Sequence, residues 1–371
     1  HGWIANNAKE VKSVVSVPVY AIGRINDTRV ANASIKSGKA DMVAMGRQSI
    51  ADPETPNKAA AGCFADIRTC VGCLHGCDAN VNLEQSGTCE LNPIIGHESE
   101  AEYQTVMTDS PKNVLVIGAG PAGLEAAIGA AKRGHRVSVY DKDRWAGGKY
   151  RLASVPPCKG ELGAFIVWQM HELKKLNVPV ILNTVVTKEL VDSVKPDVII
   201  AATGTTPVVP RKIPGWDKDI VVLGTDVLSG KANTGHNVVV IGGGHAGAET
   251  ANHIASYMKN VTIVELQEDI AMDEVDTPRN ALLADLEKNK VRVCASTSVS
   301  EIKDHSVVVS GKFNEEIECD TVVISIGHTP NTALADELIQ AGYDVRIIGD
   351  AVKVGLVGPA VRAGYLTARQ I

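Results

Sequence analysis

Four cysteines, Cys70, Cys73, Cys77 and Cys89, follow one another as C-x2-C-x3-C-x11-C. Thiolate sulfur is a soft ligand, and four such groups with three close together can hold a [4Fe–4S] cluster or, as the alternative, a structural Zn2+ ion. Four-cysteine zinc sites more often come as two C-x2-C pairs, so the spacing leans toward iron and sulfur. A redox-active C-x-x-C alone would leave Cys77 and Cys89 unexplained. His75 lies inside the loop, but no fifth ligand is needed and it is read as structural. Cys63, Cys158, Cys294 and Cys319 stand apart and are expected to be buried, inert thiols, as unpaired cysteines usually are.

A second chemistry is written twice. GAGPAG over 118–123 and GGGHAG over 242–247 each follow an apolar run, Val114-Leu115-Val116-Ile117 and Val238-Val239-Val240-Ile241, and each opens a helical pattern. In both copies an acid stands 23 residues beyond the first glycine, Asp141 and Glu265. In such a turn the first glycine bends the chain, the second lets backbone approach a pyrophosphate, and the third lets helix and strand pack closely. The helix start offers free N–H groups to the phosphates, and the acid accepts from a ribose hydroxyl. Two dinucleotide-binding folds in series are therefore expected over 113–141 and 237–265 and their continuations. His245 and Glu249, beside the second turn, read as polar residues at a helix start.

The elements that must position these groups fit a chain of 371 residues, 44% apolar and 22% charged, long enough for two or three domains. A net charge of −6 without a basic cluster disfavours nucleic acid and anionic membrane as partners. No apolar run reaches the roughly 18 residues of a membrane span and no secretory signal opens the chain, so a cytoplasmic setting is expected. Residues 1–62 alternate strand (17–22), helix (27–38), strand (41–45) and a helix ending near Gly62, the rhythm of parallel βα units too few to close a barrel. The chain starts at His1 without Met and is read as part of a longer polypeptide with a natural C-terminus. Residues 63–110 read as a loop-rich segment wrapped around a ligand, with a boundary near 110 marked by Asp109-Ser110-Pro111.

The first Gly-rich turn is followed by Gly147-Gly148, Ala202-Thr203-Gly204 and Ile348-Gly349-Asp350. With these the chain resembles the flavoprotein reductases that carry two dinucleotide-binding domains, the second inserted into the first. The resemblance implies FAD on Gly118, Gly120, Pro121, Ala122, Gly123, Asp141, Gly147, Gly148, Thr203, Gly204, Gly349 and Asp350, with Asp350 near the ribityl or pyrophosphate group. The FAD domain would comprise 111–225 and 325–371. The second fold, 226–324, would take the nicotinamide nucleotide on Gly242, Gly244, Gly247, Glu249 and Glu265. A carboxylate at 265 accepts from a free 2′-hydroxyl and repels a 2′-phosphate, and no Lys or Arg lies in the next ten residues, so NADH is expected over NADPH.

Taken in order, VPVYAIGRIND, GKADMVAMGRQSIADP, CVGCLHGC and CELNP, then the FAD fold, resemble the C-terminal half of the 2,4-dienoyl-CoA reductase and enoate reductase branch of the old yellow enzyme relatives. That resemblance implies an α/β protein: residues 1–62 as the last βα units of a TIM barrel holding FMN phosphate at Gly23, Arg24, Gly46 and Arg47, residues 63–110 as the segment binding a [4Fe–4S] cluster, then two Rossmann-like domains. It implies an oxidoreductase in which NADH reduces FAD and electrons pass singly through the cluster to FMN, which reduces an activated C=C bond of a 2-enoate or dienoyl-CoA type substrate. The Tyr and His that such enzymes use at the double bond would lie outside this chain, and His1, at its first position, is not a substitute. The second turn departs from the family in carrying His245 where relatives have an apolar residue. An amine dehydrogenase relative and an electron-delivery subunit like the glutamate synthase small subunit are the alternatives. The first is disfavoured by the intact second turn with Glu265, the second by the barrel-like segments of 1–62. A small-molecule substrate and the missing N-terminal barrel are the expected partners, and a homo-oligomer is left open.

Overall fold

The computed structural model describes residues 2–371; His1 lies outside the described residues. Two five-stranded parallel sheets organise most of the chain. The first runs Val345–Ile347, Val198–Ala201, Asn113–Ile117, Arg136–Tyr140, Val180–Ile181, and the second Arg292–Cys294, Asn260–Val264, Asn237–Ile241, Thr321–Ile324, Val221–Leu223. Their central strands, NVLVI, VIIA, NVVVI and TVVI, are almost wholly buried. Continuous apolar runs are what a parallel strand needs when helices cover both of its faces.

The chain leaves the first sheet after Val198–Ala201 and returns for Val345–Ile347, crossing both times through an antiparallel ribbon of Thr205–Pro207 and His328–Pro330. Between the crossings it builds the second sheet and a three-stranded antiparallel sheet of Thr297–Ile302, Ser306–Gly311 and Glu315–Glu318. Strand Val221–Leu223 pairs in parallel with Thr321–Ile324, so the second sheet begins ahead of the boundary expected at 225/226. A three-residue run carries no periodicity, and its membership is decided by a partner a hundred residues away.

Helix Pro121–Lys132 starts with proline at its first turn and is buried along most of its length. It packs on the C-terminal helix Val357–Arg369 through small residues, Gly129 against Ala368 and Gly364 against the Ala122 carbonyl. Residues ahead of the cysteines form short helices, Ala5–Lys12, Thr28–Lys36, Gly46–Ala51 and Thr55–Ala60, with little strand between them. The expected strands shrink to Tyr20–Ala21 and Met42–Val43, paired in parallel, around a small core of Ala5, Ala8, Ala21, Ile25, Ala31 and Ala40. Val14, Val17, Tyr20 and Ile22 are exposed there, because two short strands leave their other edges and faces uncovered.

Candidate functional site: two nucleotide turns around a cysteine cavity

All four clustered cysteines line one cavity, together with Arg47, Leu74 and Glu90 among others, and none is in a disulfide. Burial pushes the thiols of Cys70 and Cys89 up, and that of Cys73 up to about 12. A bare thiolate at these depths is unfavourable without a cation beside it. Among the described residues the only potential metal ligands lying three together within 4.8 Å are Asp66, His171 and Glu172. That trio already holds Lys175, whose Nζ donates to Asp66 at 2.7 Å and to Glu172 at 3.1 Å. The cysteine sulfurs are therefore spread wider than 4.8 Å as any group of three, whereas one tetrahedral zinc with Zn–S near 2.3 Å sets a sulfur–sulfur edge of roughly 3.8 Å.

The cysteine segment is tied to both nucleotide folds. On the first side the buried Glu90 accepts from Gly358 N at 2.6 Å, Trp168 Nε1 donates to the Asp66 carbonyl at 3.1 Å and His171 Nε2 lies 2.7 Å from Asp66 Oδ1. On the second, His75 Nε2 lies 2.7 Å from Glu274 Oε1. His75 is thus structural, and its partner is a buried carboxylate that sequence reading had no local signal to find. Lys159 and Glu249 form a further bridge between the two folds at 2.5 Å, with Glu249 8% exposed. Glu249, in the second turn's helix, is therefore a paired, buried acid.

The two turns share their detail. Gly118 and Gly242 take φ of +109° and +100°, a region that favours glycine, and a side chain on either would meet the carbonyl of Ala202 or Ser325. A Cβ on Gly123 or Gly247 would strike the carbonyl of Gly118 or Gly242, so the third glycine of each turn is where helix and strand touch. Gly120 caps the first helix, with Pro121 and Ala122 at its start, and Gly244 caps the helix His245–Ala255. The acids also hold the turns: Asp141 Oδ2 accepts from Ala119 N at 2.6 Å and Glu265 Oε2 from Gly243 N at 2.5 Å. Their second oxygens accept from Asp143 N and Gln267 N. A carboxylate has about four lone-pair sites, so each acid keeps capacity for a ribose hydroxyl. The first basic residue after Glu265, Arg279, is bonded to Asp269 and to the Ile270 carbonyl.

Gly147 N donates to the Ala119 carbonyl at 2.7 Å and Gly148 approaches Gly120, which brings the second glycine pair onto the first turn. Lys149 next to it pairs with Asp350 at 2.7 Å. Gly349 packs on Ala122. Thr203 Oγ1 donates to the Asn331 carbonyl at 2.6 Å, and Asn331 N to the Gly204 carbonyl at 3.0 Å. All twelve residues expected around FAD are thus connected to one turn or to the crossing that follows it.

The four residues expected at FMN are less alike. Gly46 opens the short helix Gly46–Ala51 and Arg47 lines the cysteine cavity. Gly23 packs on Ile4. Arg24 is already engaged, with the Val71 carbonyl at 3.2 Å and Glu161 at 3.0 Å. Of the four separate thiols, Cys294 and Cys319 are buried as expected, but Cys63 and Cys158 are exposed. Cys63 follows the end of a helix, and Cys158, at a φ of +63°, lies in a loop.

A model of the pyridine nucleotide-disulphide oxidoreductases matches residues 112–348, and one of the NADH:flavin oxidoreductase / NADH oxidase family matches residues 3–65. An NADH oxidase of Thermoanaerobacter brockii is 39% identical over 100% of this chain and 58% of its own length. A cinnamate reductase of Clostridium sporogenes is 36% identical over 97% of this chain and 54% of its own. The chain thus spans little more than half the length of the curated relatives it matches. Among solved structures, a 2-naphthoyl-CoA reductase complex superposes with a TM-score of 0.96 at 32% identity, covering 100% of this chain and 56% of the other. With a family model matched over more than half its length, and the cysteine cavity lying between the two matched segments, this chain belongs to the pyridine nucleotide-disulphide oxidoreductases, joined to a segment of the NADH:flavin oxidoreductase / NADH oxidase family.

Proposed function

We propose that this chain is the electron-input portion of an NADH-dependent flavoenzyme, with FAD on the first Gly-rich turn, the nicotinamide nucleotide on the second and a [4Fe–4S] cluster on Cys70, Cys73, Cys77 and Cys89. The observation that carries the reading is the position of the cysteine segment, bonded through Glu90 to Gly358 on one side and through His75 to Glu274 on the other. FAD held there would supply acceptance of a hydride and release of single electrons, and a cluster on the four cysteines would supply one-electron uptake.

The chain's own residues do the positioning. Gly118, Gly120, Pro121, Ala122 and Gly123 present the start of a buried helix to a pyrophosphate, and Asp141 holds the turn while offering its spare lone pairs to a ribose. Gly147, Gly148, Thr203, Gly204, Gly349 and Asp350 would complete the flavin seat, with Lys149 neutralising Asp350. Gly242, Gly244, Gly247 and Glu265 repeat the arrangement, and the engagement of Arg279 with Asp269 leaves Glu265 to choose NADH over NADPH. Glu249 acts through its pair with Lys159, holding the second fold against the first. The cysteines fit a cluster better than one zinc ion, because their sulfurs are spread beyond a zinc tetrahedron.

The extents we propose are 1–62 for the barrel remnant, 63–110 for the cluster segment, and 111–371 for the flavin fold with the nicotinamide fold inside it. FMN phosphate would be held by Gly23, Gly46 and Arg47, with Arg24 committed to Glu161. The whole protein would reduce an activated C=C bond of a 2-enoate or enoyl thioester, in line with the cinnamate and naphthoyl-CoA reductases it resembles, and would work in the cytoplasm. The test is a pair of steady-state assays on this chain loaded with FAD. NADH should reduce ferricyanide, and no cinnamate or enoyl thioester should be reduced, since two strands cannot enclose FMN; absence of NADH-dependent ferricyanide reduction would refute the reading.

A further inference from the structure

The second nucleotide turn and the cysteine loop meet across one short stretch of chain. Ala271 N donates to the Gly243 carbonyl at 2.7 Å, pinning that stretch to the turn. Two residues on, Asp273 sits over the start of helix His245–Ala255. Its Oδ1 accepts from His245 N at 2.7 Å, and its Oδ2 lies 2.8 Å from His245 Nδ1. A Cβ placed on Gly244 would find Asp273 as its nearest neighbour, at 3.5 Å. This is the helix start that a nucleotide pyrophosphate would occupy, and the carboxylate there satisfies an N–H the pyrophosphate would otherwise take.

The next residue faces the other way. Glu274, 4% exposed, lies 2.7 Å from His75, 15% exposed, which stands between Cys73 and Cys77. Thr277 Oγ1 adds a bond to Asp78 Oδ2 at 3.3 Å. Positions 273 and 274 therefore each contact a different expected seat. One peptide unit joins them, so a displacement of Asp273 that includes its backbone also moves the backbone that aims Glu274, whereas rotation of the Asp273 side chain alone would vacate the turn and leave the Glu274–His75 contact in place.

Resting on the nicotinamide and cluster assignments above, we propose that Asp273 and Glu274 form a latch: Asp273 fills the pyrophosphate seat of the second turn, nucleotide binding expels it, and its departure reorients the Glu274–His75 contact on the cluster loop. Nucleotide affinity is then lower than the turn alone would give, and the surroundings of the cluster report whether nucleotide is bound. Coupling between two sites is reciprocal, so the state of the cluster loop changes nucleotide affinity by the same factor.

The test uses the full-length holoprotein and ADP-ribose, which carries the pyrophosphate but no nicotinamide and so exchanges no electrons. Asp273→Asn keeps an oxygen to cap His245 N but removes the competing charge, and should bind ADP-ribose about tenfold more tightly in titration calorimetry. In the parent, ADP-ribose should alter the electron paramagnetic resonance spectrum of the chemically reduced cluster. In Glu274→Ala it should bind without altering that spectrum, and His75→Gln should give the same result should the first variant lose its cluster. Equal affinity in parent and Asp273→Asn overturns the latch while leaving the nicotinamide site in place. Tighter binding without a spectral change in the parent overturns the coupling, and binding by neither protein removes the nicotinamide assignment and the latch together.

Discussion

Gly120 and Gly123 stand three residues apart in one turn, and alanine at each should weaken flavin binding but have opposite consequences for stability. Gly120 takes φ −78° and ψ 174°, which any residue adopts, and a Cβ built on it meets nothing within 4 Å. Alanine there fits the protein fold and restricts the unfolded chain, which stabilises by about 0.4–1 kcal/mol where the backbone is compatible. The same methyl stands where the FAD pyrophosphate must come against backbone. Losing one charge-assisted contact of that kind costs roughly 1.5–3 kcal/mol, or about tenfold to over a hundredfold in affinity. At Gly123 a Cβ would fall inside 3.0 Å of the Gly118 carbonyl oxygen, so helix and strand must separate, at about 1–3 kcal/mol or more. The assay is a flavin-to-protein ratio and a titration of flavin-free protein with FAD, beside its thermal melt. Gly120→Ala should melt no lower than the parent yet bind FAD far more weakly, while Gly123→Ala should lose stability and flavin together. A Gly120→Ala protein that binds FAD as the parent does would show that the pyrophosphate does not rest on this turn.

Three further outcomes are expected. Cys70→Ala should lose iron and the broad visible absorption of the cluster while FAD stays bound, because the flavin turn shares no residue with the cysteine cavity; equal iron in variant and parent, or zinc at one ion per chain, would refute the cluster. Glu265→Ser with Leu266→Arg should shift preference toward NADPH, since Leu266 is 73% exposed and a charge-assisted contact there is worth roughly 1.5–3 kcal/mol; steady-state kinetics showing that the parent already favours NADPH would contradict the role of Glu265. The His245–Asp273 pair should make stability depend on pH at both ends. Its bond to Asp273 raises His245 above the ordinary 6.5, so that contribution is full below 6.5 and fades as pH rises through the raised value. The bond from His245 pulls Asp273 down to about 2, so that contribution is full above the ordinary 3.8 and fades as pH falls through about 2. Asp273 is 57% exposed, so the pair is worth about 0.5–1 kcal/mol between those limits. Thermal melts of parent and Asp273→Asn should differ most near pH 4–6; a difference independent of pH would show that the pair is not charged.

What the sequence made legible was local. Each nucleotide turn is a strand, a bend, a helix and an acid within thirty residues, and every requirement of the bend falls on a residue type that can be read directly. The cysteine cavity was legible for the same reason, its four sulfurs coming from one short segment. The contacts that assemble these parts were not. Glu90 meets Gly358, His75 meets Glu274 and Lys159 meets Glu249 across 90 to 268 positions of chain, and a lone buried acid carries no pattern that names its partner. Glu249 reads as a polar residue near a helix start and, by resemblance, as a nicotinamide-nucleotide contact; its buried pair with Lys159 has no signal in the local sequence. Asp273 was equally silent, because a carboxylate that caps a helix start 28 residues back looks like any exposed acid. Strand Val221–Leu223 carries no signal of its sheet, because three apolar residues fit either and the partner Thr321–Ile324 lies a hundred residues on. Exposure of Cys63 and Cys158 follows from loop geometry, which the tendency of cysteine to be buried does not report.

Electron transfer from NADH to FAD is the central step, and anaerobic stopped-flow measures it. The chain, loaded with FAD and mixed with NADH, should bleach its visible flavin band within the mixing transient or soon after, with NADPH much slower. A fully FAD-loaded protein whose flavin band NADH leaves unchanged would contradict the electron-input reading.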